Sequence, residues 1–189
     1  MSVARPQMKS SSGPEGVYAH SLNGEPVERW EPLSHHLAAV GTRAAAFAAP
    51  FGCTETARIS GHLHDIGKLS PEFQAYIRGE RATGGDHSSA GARVAYDAYP
   101  YPLGKILAAI IAAHHAGLAD GTDLSRRMEA ARDKIPARWE THSGPLPVDT
   151  GTSFQARQKK QGLLVEFSLS DAVLVSRRCG FSRNGALLR

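Results

Sequence analysis

The chain has 189 residues, 41% of them hydrophobic and 21% charged, and a formal charge of +4 at neutral pH. That balance describes an ordinary globular domain and excludes a wholly disordered, collagen-like or coiled-coil chain. The longest apolar run, Ile106–Ala113, is eight residues, against the roughly 20 needed to cross a bilayer. The first twenty residues hold no apolar core of a secretory signal, so a cytoplasmic protein without a membrane partner is expected. Cys53 and Cys179 lie far apart, which suggests neither a disulfide framework nor a zinc knuckle.

In chain order, residues 1–16 are rich in Ser, Pro and Gly and read as a flexible lead-in. Ser34 is placed to cap a helix through Leu37, Val40, Ala44 and Phe47, stopped by Pro50 and Gly52. Thr54 is placed to cap a second helix toward His64, with Gly67 ending it. Ser70-Pro71-Glu72 opens a short helix to Ile77, with proline at its first position. An Ala-rich helix runs from His87 to about Tyr99, and the strongly apolar stretch Leu103–His115 reads as a buried helix ended by Gly117. Leu124–Lys134 is amphipathic, Pro136–Gly151 reads as loop, and Phe154 to about Ser176 reads as a last long helix with Gly162 as its weak point. Strand signals are scarce and no repeat is present, so the expected class is mainly α. The excess positive charge sits in residues 156–189, where seven basic residues face Glu166 and Asp171 for a net of +5. A basic end attracts phosphate backbones, although a solvated tail has the same composition.

Nine histidines are present, an unusual share for a residue that is the commonest metal ligand when neutral. His20 and His142 fall in loop-like stretches, while His35, His36, His62, His64, His87, His114 and His115 fall in helical context. His36, His64, Asp65, His87, His114 and His115 come from four separate predicted helices, each at a helix start or end where side chains converge. A helical bundle core is a standard place for a metal site. Six donors exceed one tetrahedral shell, so two divalent ions are expected between the helices. Asp offers two oxygens and can bridge them. Imidazole with carboxylate suits manganese, iron, nickel, cobalt or zinc, and the sequence does not choose among them. The string Gly61 to Lys68 imitates a phosphate-binding loop, but its spacing is one residue too long. Leu69 also stands where Ser or Thr is required, so no ATP site is expected.

The pair His64-Asp65 with Lys68 resembles the signature of HD metal-dependent phosphohydrolases. The wider pattern is similar to the HD nuclease domain of the CRISPR-associated type I nuclease-helicase. Tyr18-Ala19-His20-Ser21, Trp30 to Leu37, Gly61 to Phe73, Asp86 to Gly91 and Ala113 to Leu118 carry the likeness, in the family's order. The resemblance implies that residues 17–176 form an HD-type helical nuclease domain and that 177–189 are an irregular, basic, truncated end. It implies one metal held by His36, His64 and Asp65, bridged by Asp65 to a second held by His87, His114 and His115. Lys68 would contact the phosphate or an oxygen held by the metal, so Asp65 and Lys68 are the implied catalytic pair. The implied activity is endonucleolytic or exonucleolytic hydrolysis of single-stranded DNA in antiviral defence, with a helicase subunit and a guide-RNA surveillance complex as partners. No helicase motor is expected within this chain. Arg78, Arg81, Arg93 and Lys105 are candidates by position for a basic groove.

The family pattern is broken at its end. A late Asp ordinarily closes the first metal shell; here the matching run is Leu169 to Ser176, and Arg177-Arg178 occupy the position of the Ala-Asp pair. Asp171 substitutes only if the helix shifts, and a nuclease weaker than one with the late Asp is expected. Two other functions share much of the pattern. One is a phosphohydrolase of nucleotides or cyclic dinucleotides, although the Gly-Tyr-Pro motif of the cyclic dinucleotide branch is missing. The other is a metal-binding module with impaired catalysis.

Overall fold

The amphipathic segments fold as helices whose apolar stripes meet in one core. The computed structural model describes residues 16–148 and, beyond them, the backbone of two short strands at 157–159 and 162–164. Among the described residues the α-helices are α1 (Leu33–Ala48), α2 (Thr54–Leu63), α3 (Pro71–Ile77), α4 (Ser88–Ala98), α5 (Leu103–Ala116), α6 (Gly121–Ala130) and α7 (Glu140–Ser143). A 3-10 turn, Ile66–Leu69, links α2 to α3. Strands β1 (Tyr18–His20) and β2 (Glu31–Pro32) pair antiparallel, with Tyr18 opposite Pro32 and His20 opposite Glu31. The architecture is mainly helical, as the apolar spacing predicts.

The innermost side chains come in pairs four residues apart: Leu33 and Leu37 on α1, Ile59 and Leu63 on α2, Leu107 and Ile111 on α5. Residues at that spacing stack on one helix face, and each such side chain contributes about 1.5–3 kcal/mol by leaving water. Ile66 from the 3-10 turn joins the same cluster. α1 packs on α2, α4 on α5, and α2 touches both α4 and α5. The same helical period places His36 three residues beyond Leu33 and His114 three beyond Ile111. The core stripes therefore run directly into the histidines.

Two glycines set how closely α4 sits. A Cβ at Gly91 would stand 1.8 Å from the Leu63 carbonyl oxygen, and one at Gly67 would stand 2.2 Å from the His87 carbonyl oxygen. Any side chain at either position would push the start of α4 off the end of α2. The α4 N-terminus is further fixed by Asp86, whose Oδ1 accepts from the backbone N–H groups of Ser88 and Ser89 and from the Ser88 hydroxyl, each at 3.1 Å.

Several boundaries differ from the sequence expectation. Neither Ser34 nor Thr54 caps its helix; both lie in the first turn, behind Pro32 and Cys53. At α1 the exposed donor is met by tertiary structure instead, since the Leu33 N–H bonds the Val17 carbonyl at 3.0 Å. Asp120 accepts from the Thr122 and Asp123 N–H groups and starts α6 at Gly121 rather than Leu124. That helix ends at Ala130, and a 3-10 turn, Arg132–Lys134, follows. The predicted loop after Pro136 contains α7. The long helix expected over Phe154–Ser176 is corrected in its first part: β3 (Arg157–Lys159) pairs antiparallel with β4 (Gly162–Leu164). Gly162, a poor helix former, falls inside that pairing. The rest of that segment, with Asp171, Arg177 and Arg178, lies outside the described residues, as does the lead-in through residue 15.

Two stability measurements check this packing. Gly91→Ala should lower stability by about 1–3 kcal/mol in chemical denaturation, the usual cost of overpacking. Asp86→Ala should cost about 1 kcal/mol at pH 7 as a lost cap. Burial pushes the Asp86 carboxyl up, but its bonds to Ser89 and Ser88 outweigh this and hold it below the ordinary value. A depressed carboxyl contributes stability above its unfolded pKa and loses it as pH falls through the folded one. The gap between wild type and Asp86→Ala should therefore narrow below about pH 4.

Candidate metal centre

Asp65 lies at the middle of the histidine cluster, 2% exposed, just after α2 ends. Its two carboxylate oxygens face different sets of imidazoles. Oδ2 is 3.1 Å from His64 Nε2 and 3.3 Å from His36 Nε2, and those two nitrogens are 3.2 Å apart. Oδ1 is 3.4 Å from His114 Nε2 and 3.6 Å from His87 Nε2. His115, the most exposed member, completes a group with Asp65, His87 and His114 whose donor atoms all lie within 4.8 Å of one another. At ligand distances of about 2.1 Å, neighbouring donors of a tetrahedral or octahedral shell stand about 3.0–3.4 Å apart. The His36, His64, Oδ2 triangle has that size.

The outer nitrogens decide what the inner ones offer. His64 Nδ1 donates to the Gly61 carbonyl at 2.8 Å, His114 Nδ1 to Ile111 at 2.7 Å, and His87 Nδ1 to Gly85 at 3.4 Å. A carbonyl only accepts, so each Nδ1 must carry the proton. His36 Nδ1 likewise faces the Glu31 carboxylate at 3.2 Å. All four rings thus turn an Nε2 lone pair, or a second proton, toward Asp65. This is the outer-partner pattern of metal-binding imidazoles.

Local sequence explains the placement. His36 stands in the first turn of α1, His64 caps the C-terminus of α2, His87 is the N-cap of α4, and His114 and His115 end α5. The helix-end convergence read from the sequence is what the fold provides. Among the described residues, Asp65 Oδ1, His87 Nε2 and His114 Nε2 are buried and make no hydrogen bond, yet they face one another. Buried polar atoms are ordinarily satisfied, and a cation between them would satisfy all three. The donor set therefore fits divalent metal ions.

Electrostatics agree. Burial would raise the Asp65 carboxyl, but the charge of His64 and the His114, His36 and His64 rings turned on it hold it well below the usual carboxylate range. Burial is the main cause that lowers His115 to about 4, with His114 and His87 adding to it, and burial likewise lowers His87. Protons and metal ions compete for the same Nε2 atoms, and burial weakens the protons' side of that competition.

Lys68, 4% exposed, sets its ammonium 2.8 Å from Asp65 Oδ2 and donates to the Ala19 carbonyl at 3.2 Å. Its segment is clamped by buried Gln74, whose amide donates to the Lys68 carbonyl at 2.7 Å and to the Tyr18 carbonyl at 2.9 Å, while its oxygen accepts from the Tyr18 N–H at 3.0 Å.

Two residues beside the centre were not among the ligands expected from sequence. His20, on β1, forms a second candidate group with His36 and Asp65, and its ring centroid is 4.8 Å from that of His36. Burial is the main cause that lowers its pKa to about 4. Glu31 contacts His36 and stands 3.8 Å from His20 Nε2. The pairing of His20 with Glu31 is a cross-strand contact, and strands this short leave no periodic signal. His62 turns away and donates to the Ser143 carbonyl at 2.5 Å, and His35 is exposed. Arg93 is tied to Asp97 and to the Met128 carbonyl, and Arg78 to the Gly16 carbonyl. With Arg81 and Lys105, they lie outside the lining of the cleft that opens beside the centre.

The HD domain family matches residues 33–139, more than half the chain, and spans α1 through the segment before α7. The chain belongs to the HD domain family, a superfamily of metal-dependent hydrolases. A search of curated proteins finds no match. Among the described residues, no helix is long and apolar enough to cross a membrane.

Asp65→Ala should abolish metal uptake, while His87→Ala should lower the metal-to-protein ratio without abolishing it. Metal content after reconstitution and desalting, read by mass spectrometry against protein concentration, checks both. Trace metal in the reconstituted wild type would refute the centre.

Proposed function

We propose that the protein is a two-metal phosphodiesterase acting on single-stranded DNA, in which Asp65 would help to hold both ions. The observation that carries this reading is the division of labour at Asp65: Oδ2 toward His36 and His64, Oδ1 toward His87 and His114. His115 would join the second set, and Asp171 is proposed for the first shell only on the strength of the family pattern. Ions held there would lower the pKa of a water and stabilise charge on phosphoryl oxygens.

The chain's own groups have defined tasks. Glu31 and the Gly61, Gly85 and Ile111 carbonyls fix the four imidazole orientations before anything binds, so little reorganisation remains at the moment of reaction. Lys68 uses two of its three N–H bonds on Asp65 and Ala19. The third is left for a phosphoryl oxygen in the cleft, whose lining includes Lys68. A buried ammonium stabilises negative charge developing on phosphorus far better than a solvated one.

The single-stranded substrate, the antiviral setting, the helicase partner and the guide-RNA complex rest on the ordered motifs from Tyr18 to Leu118. A free nucleotide or cyclic dinucleotide is the competing substrate, and the HD family match is equally compatible with it.

The reconstituted protein should cut circular single-stranded DNA and leave a nucleotide panel intact. Hydrolysis of the panel alone would move the assignment to the nucleotide branch. Lys68→Ala should slow cleavage by about 10²–10³-fold while the metal content stays above half of wild type. Loss of metal in step with activity would show that Lys68 serves the centre and not the substrate.

A further inference from the structure

The cleft beside the metal centre has an aromatic floor whose outer two rings, Phe73 and Tyr76, belong to no metal donor. Ring centroids step from His114 to His115 at 4.1 Å, to His87 at 4.7 Å, to Phe73 at 5.1 Å and to Tyr76 at 5.9 Å. The row starts among the buried donors and ends at Tyr76, which is 42% exposed. Phe73 is buried, lies beneath the Lys68 ammonium at 5.3 Å from its ring centre, and supports Tyr76 from α3. Gly84 packs so closely on this pair that a Cβ there would stand 2.7 Å from Phe73 and 2.9 Å from Tyr76. Both rings are thus held in place before a ligand arrives.

The lining carries Lys68 as its cation, the Ser21 hydroxyl and no carboxylate, which suits an anionic ligand. Its volume of about 280 Å³ equals that of about nine liquid waters and falls just under the usual range for small-molecule pockets. One ring with its sugar fits such a space.

We propose that Tyr76, backed by Phe73, is a stacking platform for one unpaired nucleobase, which places the attached phosphodiester at the Asp65 centre. The inference rests on the phosphodiesterase reading above. Every base presents a π-face, so the platform selects for an unpaired base and not for sequence, and stacking of this kind weakens by about 5- to 150-fold on alanine substitution. Tyr76 touches no metal donor and is a specificity residue.

Fluorescence anisotropy with two labelled probes tests it: a ten-residue oligothymidylate and an abasic oligomer of equal length and charge. Both are measured with metal-free and with metal-loaded protein. The oligothymidylate should bind wild type about tenfold more tightly than the abasic probe. Tyr76→Ala should lose that preference and leave abasic binding unchanged, whereas Tyr76→Phe should keep it. Equal binding of the two probes to wild type, equal weakening of both by Tyr76→Ala, or no oligothymidylate binding by either form would overturn the platform. Failure of the metal-loaded protein to cut either oligomer or circular DNA would remove the phosphodiesterase reading, while base-dependent binding would still decide the platform.

Discussion

A carboxylate withdrawn from water must be answered by positive charge, and the rest of the molecule is arranged around that demand at Asp65. An isolated buried anion costs so much that it ordinarily takes up a proton and becomes neutral. Here four imidazoles and one ammonium surround it, and it stays ionised. The supporting contacts lead outward in turn: carbonyls at the ends of α2 and α5 orient two rings, Glu31 orients a third, and Gln74 steadies the backbone of Lys68. Removing Lys68 therefore disturbs charge balance and removing a histidine changes ligand number, and breaking a buried pair typically costs about 3–5 kcal/mol.

Six site residues were legible in the sequence because helices advertise themselves. The structure buries the faces of Leu33 and Leu37, Ile59 and Leu63, and Leu107 and Ile111, and the same period carries His36 and His114 onto them, whereas Phe47, read into the α1 stripe, is exposed. The ends of those helices are where chemistry collects, since backbone groups there lack helical partners and the chain turns back toward the core. The dipeptide His64-Asp65 sits at one such end. His20 and Glu31 lie in two of the runs that carry the family likeness, but no periodicity marks them. Their contact depends on a strand pair only a few residues long, in which Tyr18 meets Pro32 through a register shift. A sequence without alternation cannot announce such a pairing.

The start of α1 differs from expectation for a tertiary reason. Ser34 and Thr54 are good capping residues, yet a helix start needs only that its free N–H groups be met. At α1 the Val17 carbonyl from β1 meets the first of them. Capping propensity is local, and a tertiary partner overrides it. At α4 the local rule holds, but one residue early: the Asp86 side chain caps the helix, and His87 keeps its ring for the centre.

The way β1 docks has a consequence for how this domain is delimited. The family match begins at residue 33, but the Ala19 carbonyl grips the Lys68 ammonium, the Tyr18 backbone is held at both N–H and C=O by Gln74, and His20 stands against His36. The segment before α1 is therefore a wall of the site rather than a leader to it. A fragment trimmed to the matched residues 33–139 would keep all six sequence-read donors and still lose one side of the cleft. Proteolysis between His20 and Trp30, where the exposed stretch 21–29 crosses the surface, would leave the helical body standing and set that wall free.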